Sequence, residues 1–515
     1  MRYYNGNTDG LSQMNYLGID VGTGGSRAVL IDKNGKVIAS ATVEHEAFAS
    51  PEIGWAEQSP DDWWRASVAA IREVVSKSNA NEIGSISLSG QMHGAVLLDK
   101  SDKPLRPALI WCDQRTEKQC AEITEKIGVE TMIELVCNPA ITGFTLPKLL
   151  WVRENEPGIW DQVCSILLPK DYIRLKLSGD KASDVADSSG TLLFDVQNRK
   201  WSREMLTAFD IDASLLPKVF ESIEVAGVVT ESAALETGLK AGTKIVAGAG
   251  DNAAGAIGMG VTQVGTVSST IGTSGVIFAV TDQPQLDLKG RIHTLCHAIT
   301  NRWHNTGVTQ SAGFSFKWFR DNFGDGRSFD ELVGEAMKIS SGSDGAIWLP
   351  YLMGERTPHL DAKTRAAFVG LTASHTKAHL TRAVLEGVAF SMRDSLEIFK
   401  ELGAPIKKIR LGGGGAKSKL WRQIQADVYG QNVEILEADE GAAFGAAILA
   451  GVGAGQWQTV DEACEQTIRI AETVEPNQDS VEALNRNYEA YRLLYSALRA
   501  AMKIITEKIG REKYE

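Results

Sequence analysis

One short pattern occurs twice. Tyr16-Leu17-Gly18-Ile19 leads as a strand into Asp20-Val21-Gly22-Thr23-Gly24-Gly25-Ser26-Arg27, and Ala28 to Asp32 returns as a second strand. Far along the chain, Gly265 to Ile271 leads into Gly272-Thr273-Ser274-Gly275, and Val276 to Val280 returns. A strand, a Gly-Thr-(Gly/Ser)-Gly turn and a returning strand near the start of each half predict duplicated halves that face each other across a cleft. The glycines of one such turn can simply supply positive φ in a tight hairpin. Two copies, the first with Thr23, Ser26 and Arg27 beside it, favour turns whose backbone N–H groups surround an anion. A length of 515 residues exceeds what one hydrophobic core supports. The expected division is a polar, disordered leader at 1–15, a first domain at 16–260 and a second at 261–515.

Charge removes several classes of partner. Lys and Arg number 53 against 65 Asp and Glu, a net charge of −12, which argues against a nucleic-acid or anionic-membrane surface. Met1 to Gln13 has no apolar signal core and no run is long enough to span a bilayer, so the expected location is the cytoplasm. The six cysteines form no CxxC pair and are expected to be free, mostly buried thiols.

The stretches between and after the repeats supply the candidate site. A helix is predicted over Pro60 to Ser76, then the strand Ser85 to Ser89, which ends at Gly90-Gln91-Met92-His93-Gly94. Polar groups at a strand's carboxyl end are where open α/β sheets bind ligands. His93 therefore reads either as a ligand contact or as a satisfied core histidine. Trp111 to Ser222 reads as an inserted, substrate-shaping region of helices and loops. Lys244-Ile245-Val246-Ala247 then runs into Gly248-Ala249-Gly250-Asp251-Asn252-Ala253-Ala254-Gly255. Asp251 stands at a strand-to-helix turn, and it reads either as an N-cap or as a carboxylate presented for chemistry.

The second half adds a further ligand loop. His293-Thr294-Leu295-Cys296-His297, with His304 nearby, could supply metal ligands. Strand geometry puts positions 293 and 297 on one face and 296 on the other, so these residues read as structural. After a predicted helix from Lys377 to Lys400, the strand Lys408 to Leu411 runs into Gly412-Gly413-Gly414-Gly415 ahead of a helix near Leu420. A Gly-rich loop opening a helix favours a flat or anionic ligand, although the dinucleotide spacing GxGxxG is absent. Gly441 to Ala447 is built of small residues at helical spacing, which lets two helices approach closely. The tail, with Val481, Leu484, Tyr488, Tyr491, Tyr495, Leu498, Met502 and Ile505, is a long helix with one apolar stripe. It is expected to pack on its own domain, with a homodimer seam as the alternative.

Asp20-x-Gly-Thr, Gly272-Thr-Ser-Gly, the late Gly-rich loop and the small-residue helix together resemble the actin, Hsp70 and sugar-kinase ATPases, a ribonuclease H-like α/β fold of two domains around a central cleft. Gly143 to Asn155 and Ala367 to Glu386 are similar to the two signatures of FGGY carbohydrate kinases. Within that family Ser89 to Gly94, Leu168-Pro-Lys-Asp-Tyr172 and Gly250 to Gly255 resemble the branch that phosphorylates D-xylulose, whereas a glycerol-specific member would carry Arg-Glu at Met92-His93. The resemblance implies ATP-dependent transfer to the sugar O5, giving D-xylulose 5-phosphate, with Mg²⁺ as metal. It implies Asp251 as general base, in an ionised state favoured by the helix N-terminus, and sugar contacts from Met92, His93, Asp251 and Asn252. It further implies nucleotide contacts from Gly22, Thr23, Gly24, Arg27, Gly272, Thr273, Ser274, Gly313, Gly413 and Gly414, and Asp20 on the metal through water. Another ketose or polyol, such as ribulose or L-xylulose, is the alternative substrate. A nucleotide-switch protein without catalysis is the more distant reading.

Overall fold

The computed structural model describes residues 14–438 and 440–512, so residues 1–13 of the leader expected at 1–15 lie outside the described residues. The first strand begins at Asn15, one residue before the expected domain start. The first sheet runs, edge to edge, Val225–Val228, Lys244–Gly250, Ile83–Gly90, Asn15–Val21, Gly25–Ile31 and Val37–Glu44. The second runs His293–Cys296, Trp303–Thr309, Gly275–Thr281, Thr266–Ile271, Lys408–Gly413, Val433–Leu436 and Ile470–Val474. In each, the strand entering the Gly-Thr turn pairs antiparallel with the strand leaving it and parallel with a later strand, which itself has a parallel neighbour. The duplication read from two short turns is thus carried by both whole sheets.

Strand periodicity sorts the first core. Leu17, Ile19 and Val21 face one side with Trp63, Ile71 and Val74 of the helix Pro60–Ser76. Tyr16, Val29 and Ile31 face the other, with Ala443, Ala447 and Ile448 of the helix Gly441–Ala454. That helix follows the second sheet in sequence but covers the first. It can do so only because glycine admits contact of backbones: a Cβ on Gly18 would lie 1.9 Å from Ala443 O, and one on Gly445 would lie 1.8 Å from Ala254 O. The expected close helix pair is therefore Gly441–Ala454 against Asp251–Gly258.

The second sheet packs on the helix Lys377–Glu401, through Val384 and Val388, and on the tail helix Gln478–Glu512, through Leu484, Tyr488 and Tyr491. The tail stripe thus serves its own half, although Ile505 is 52% exposed. Residues 111–222 form short helices with a separate core that includes Phe144, Leu149 and Phe209. All six cysteines are free, and only Cys137, Cys296 and Cys464 are buried, fewer than expected. Among the described residues no helix is long and apolar enough to cross a membrane.

Candidate active site

Three parallel strands of the first sheet end together. Asp20 lies opposite Ser89, Ser89 opposite Ala249, and Gly90 opposite Gly250. The Lys244–Gly250 strand bulges at Gly248, whose φ of 76° and whose packing, with a would-be Cβ 1.9 Å from Leu88 O, admit only glycine. Past this bulge, Gly250 occupies the cap position and Asp251 is already the first helical residue. The N-cap reading of Asp251 is therefore incorrect: its carboxylate lines a cavity instead. Burial first, and the neighbouring Asp20 second, push its pKa up to about 7. The N-terminal dipole does not keep it at its ordinary value, because desolvation and a like charge outweigh it.

The cavity at Asp251 has a volume of about 220 Å³, and Met92, His93 and Asn252 line it as the sequence implied. Met92 packs on Gly250, where any Cβ would lie 2.7 Å from Met92 Cγ, and Asn252 Nδ2 sits 3.6 Å from Met92 Sδ. His93 has a positive φ of 68°, a strained conformation for a residue with a Cβ. Its carbonyl is held by Lys148 Nζ at 3.0 Å and Thr145 Oγ1 at 3.1 Å, and its Nδ1 lies 2.7 Å from Gly190 O. Burial lowers the His93 pKa to about 3, so the ring is neutral. The Gly143 to Asn155 signature thus has a physical task, to fix the backbone of His93. Behind Gly250 lies a fully buried ion cluster in which Lys170 Nζ meets Asp171 at 2.6 Å, Asp184 at 2.6 Å and Asp187 at 3.2 Å. The ammonium occupies the position a metal would need.

A second cavity, of about 460 Å³, lies in the other half. Gly272, Thr273, Gly313 and Gly414 line it, with Phe316 and Trp421 as aromatic walls. Gly413 stands immediately behind, at φ 71°, where a Cβ would meet Ile271 O at 2.6 Å. Ser274 lines the Asp251 cavity instead, so consecutive residues of one turn border both cavities. Gly22, Thr23, Gly24 and Arg27 line neither cavity. Gly22 closes its turn on Gly25 O at 3.0 Å, Thr23 Oγ1 accepts Trp111 Nε1 at 2.9 Å, and Arg27 pairs with Glu440.

Sequence reasoning missed Trp111, His293 and Arg356, all of which line the Asp251 cavity. His293 was weighed as a metal ligand and set aside. Among the described residues the one cluster with metal-ligand spacing is Asp171, Asp184 and Asp187, and Lys170 already contacts all three while Arg174 pairs with Asp171.

Comparison with known proteins decides the family. The N-terminal domain of the FGGY family of carbohydrate kinases matches residues 15–258, and its C-terminal domain matches residues 267–454. The chain belongs to the FGGY carbohydrate kinases. It is 39% identical to the xylulose kinase of Bacillus subtilis over 93% of this chain and 96% of that one. With the xylulose kinase of Escherichia coli it shares 36% over 94% and 99%. A solved xyloylose kinase from Brucella ovis superposes with a TM-score of 0.89 at 37% identity, covering 95% and 100% of the two chains. A gluconate kinase from Lactobacillus acidophilus reaches a TM-score of 0.90 at 26% identity, covering 96% and 99%. An FGGY kinase is an ATP-dependent sugar kinase.

The residues at the strand ends fit the divalent cation such enzymes use. Asp20 Oδ1 is buried without a hydrogen-bond partner, and burial raises the Asp20 pKa to about 6 against the opposing effects of Ser89 and Arg27. Two neighbouring carboxylates held above their ordinary pKa are a site short of positive charge.

Proposed function

We propose that this chain phosphorylates D-xylulose on O5 with ATP, with Asp251 as the general base. The observation that carries the reading is the shared turn: Thr273 borders the Gly-rich cavity and Ser274 borders the cavity of Asp251, so a phosphate held by the turn lies next to the carboxylate. The adenosine moiety occupies the space between Phe316, Trp421 and Gly414, and the backbone of Gly272 and Thr273 holds the phosphates, as glycine-lined N–H groups do for anions. Met92, His93 and Asn252 hold the sugar.

The O5 hydroxyl gives its proton to Asp251 as O5 attacks the γ-phosphorus, and the bond to the β,γ-bridging oxygen breaks to leave ADP. In phosphoryl transfer, positioning and charge neutralisation supply most of the catalysis, so one correctly placed carboxylate suffices as base. A pKa near 7 suits Asp251 to that task, since a base works best when its pKa lies near the operating pH. Asp20 would hold Mg²⁺ through water, and the bound ion would neutralise the triphosphate. The turn at Gly22, Thr23 and Gly24, with Arg27, comes to the phosphates when the two halves close on both substrates, a motion that also excludes water.

An ADP-release assay over a panel of ketoses, polyols and gluconate tests the reading. D-xylulose is expected to give the highest kcat/KM. A higher value for ribulose, L-xylulose or gluconate would reassign the substrate, and sugar-indifferent hydrolysis would exclude a sugar kinase altogether.

A further inference from the structure

The cavity of Asp251 presents two imidazole lone pairs. His93 Nδ1 faces Gly190 O at 2.7 Å, so it carries the proton and leaves Nε2 as a lone pair. His293 Nδ1 lies 3.1 Å from Asn138 Oδ1, while Asn138 Nδ2 donates to Val136 O at 3.1 Å and to Thr294 O at 2.8 Å. That arrangement makes Asn138 Oδ1 an acceptor and His293 Nδ1 a donor, and again Nε2 is a lone pair. Both imidazoles line the cavity, and burial keeps both neutral.

Donors are few. The Trp111 indole N–H is spent on Thr23 Oγ1, the Thr306 hydroxyl is bonded to His304 Nδ1 at 2.9 Å, and the Asn252 amide stands beside the base. Ser274 belongs to the turn shared with the other cavity. Arg356 remains. It lines the cavity, and Glu355 is the carboxylate whose charge acts on it. The hydrogen bonds of the adjacent Glu355 carboxylate are made elsewhere, accepted from Gln310 N at 2.8 Å, Arg356 N at 2.8 Å and Ser391 Oγ at 3.2 Å. Arg356 enters from the second half, next to Thr357, whose N–H donates to the O of Val308 at 3.0 Å, whereas Asp251 stands at a strand end of the first sheet, so the two border the cavity from different sheets.

The substrate chemistry asks for a donor there. Ring closure of a 2-ketopentose consumes the 5-hydroxyl, so transfer to O5 requires the open chain. That chain has hydroxyls, which donate and accept, and one group that only accepts, the C2 carbonyl, three bonds from C5. Hydroxyls suit the imidazole lone pairs, and the carbonyl needs a donor remote from Asp251. Resting on the ketose reading above, we infer that Arg356 is a specificity residue that binds the C2 carbonyl of the open-chain ketose.

The test is equilibrium sugar binding without nucleotide, followed by tryptophan fluorescence, since Trp111 lines the cavity. D-xylulose is compared with xylitol, its C2-reduced counterpart, on the wild type, Arg356→Gln and Arg356→Lys. Arg356→Gln is expected to weaken D-xylulose by roughly 10- to 100-fold, the factor carried by a hydrogen bond to a charged donor, and xylitol far less. Arg356→Lys should retain part of the ketose preference. Equal weakening of both sugars, or no weakening of either, would overturn the assignment. A wild type that binds xylitol but not D-xylulose would instead overturn the ketose reading itself.

Discussion

Replacing Asp251 with Asn should stop the enzyme and stabilise it. The native environment raises the Asp251 pKa from 3.8 to about 7. The folded state therefore takes up this proton more readily than the unfolded chain, so stability rises as pH falls from about 7 toward 3.8, and the wild type carries its full penalty above pH 7. A shift of about 3 units corresponds to about 4 kcal/mol. The carboxylate keeps contact with solvent through its cavity, and Asn must still bury an amide, so about 1–2 kcal/mol is the expected gain at pH 8. At about 2–4 °C per kcal/mol this raises Tm by roughly 2–8 °C. The assay is thermal melting of both proteins at pH 8 and pH 5, with kcat measured in parallel. Asp251→Asn should melt higher at pH 8, lose most of that advantage at pH 5, and lose about 10²–10⁴-fold in kcat. An unchanged Tm at pH 8, or a gain equal at both pH values, would refute the electrostatic argument, and near-normal kcat would refute the assignment as base.

The same carboxylate sets a pH profile: kcat/KM for the sugar should fall about tenfold per unit below pH 7 in an ADP-coupled assay, since that ratio reports the free enzyme. A flat profile to pH 5 would contradict it. Lys148→Met removes the bonds to His93 O and Gly143 O and frees a strained backbone, so KM for the sugar should rise about tenfold while KM for ATP stays near wild type. Equal changes in both constants would make Lys148 a general stabiliser instead. Gly445→Ala puts a Cβ 1.8 Å from Ala254 O and pushes the helix that starts at Asp251 off its partner. Displacement of the base by about 1 Å should cost up to about 10²-fold in kcat, read in single-turnover experiments.

Much of the fold was legible because it is local. The two Gly-Thr turns, the helices at 60–76 and 377–401 and the small-residue helix at 441–454 each carry their signal within a few turns of chain. What that helix packs against was not legible. Its glycines announce close approach, but only the structure shows a helix of the second half covering the first sheet. The site divides in the same way. Asp251, Met92 and His93 stand at strand ends that follow from strand periodicity, whereas Arg356 and His293 reach the cavity from segments whose own sequence reads as loop and edge strand.

The placement of Asp251 has an instructive cause. An Asp at a strand-to-helix turn is ordinarily a cap, because the residue before the helix usually presents a side chain to the free N–H groups. Here the bulge at Gly248 shifts the register by a residue, Gly250 takes the cap position without a side chain, and Asp251 is carried onto the first turn. Its carboxylate then stands in a buried cavity beside Asp20, where burial and the like charge outweigh the lowering effect of the Asn252 backbone N–H, which is why its pKa rises. Both properties that suit it to act as a base, an open carboxylate and a pKa near 7, thus depend on the left-handed conformation at Gly248. Substituting that glycine would therefore be expected to act on catalysis through Asp251, at a position that touches no substrate.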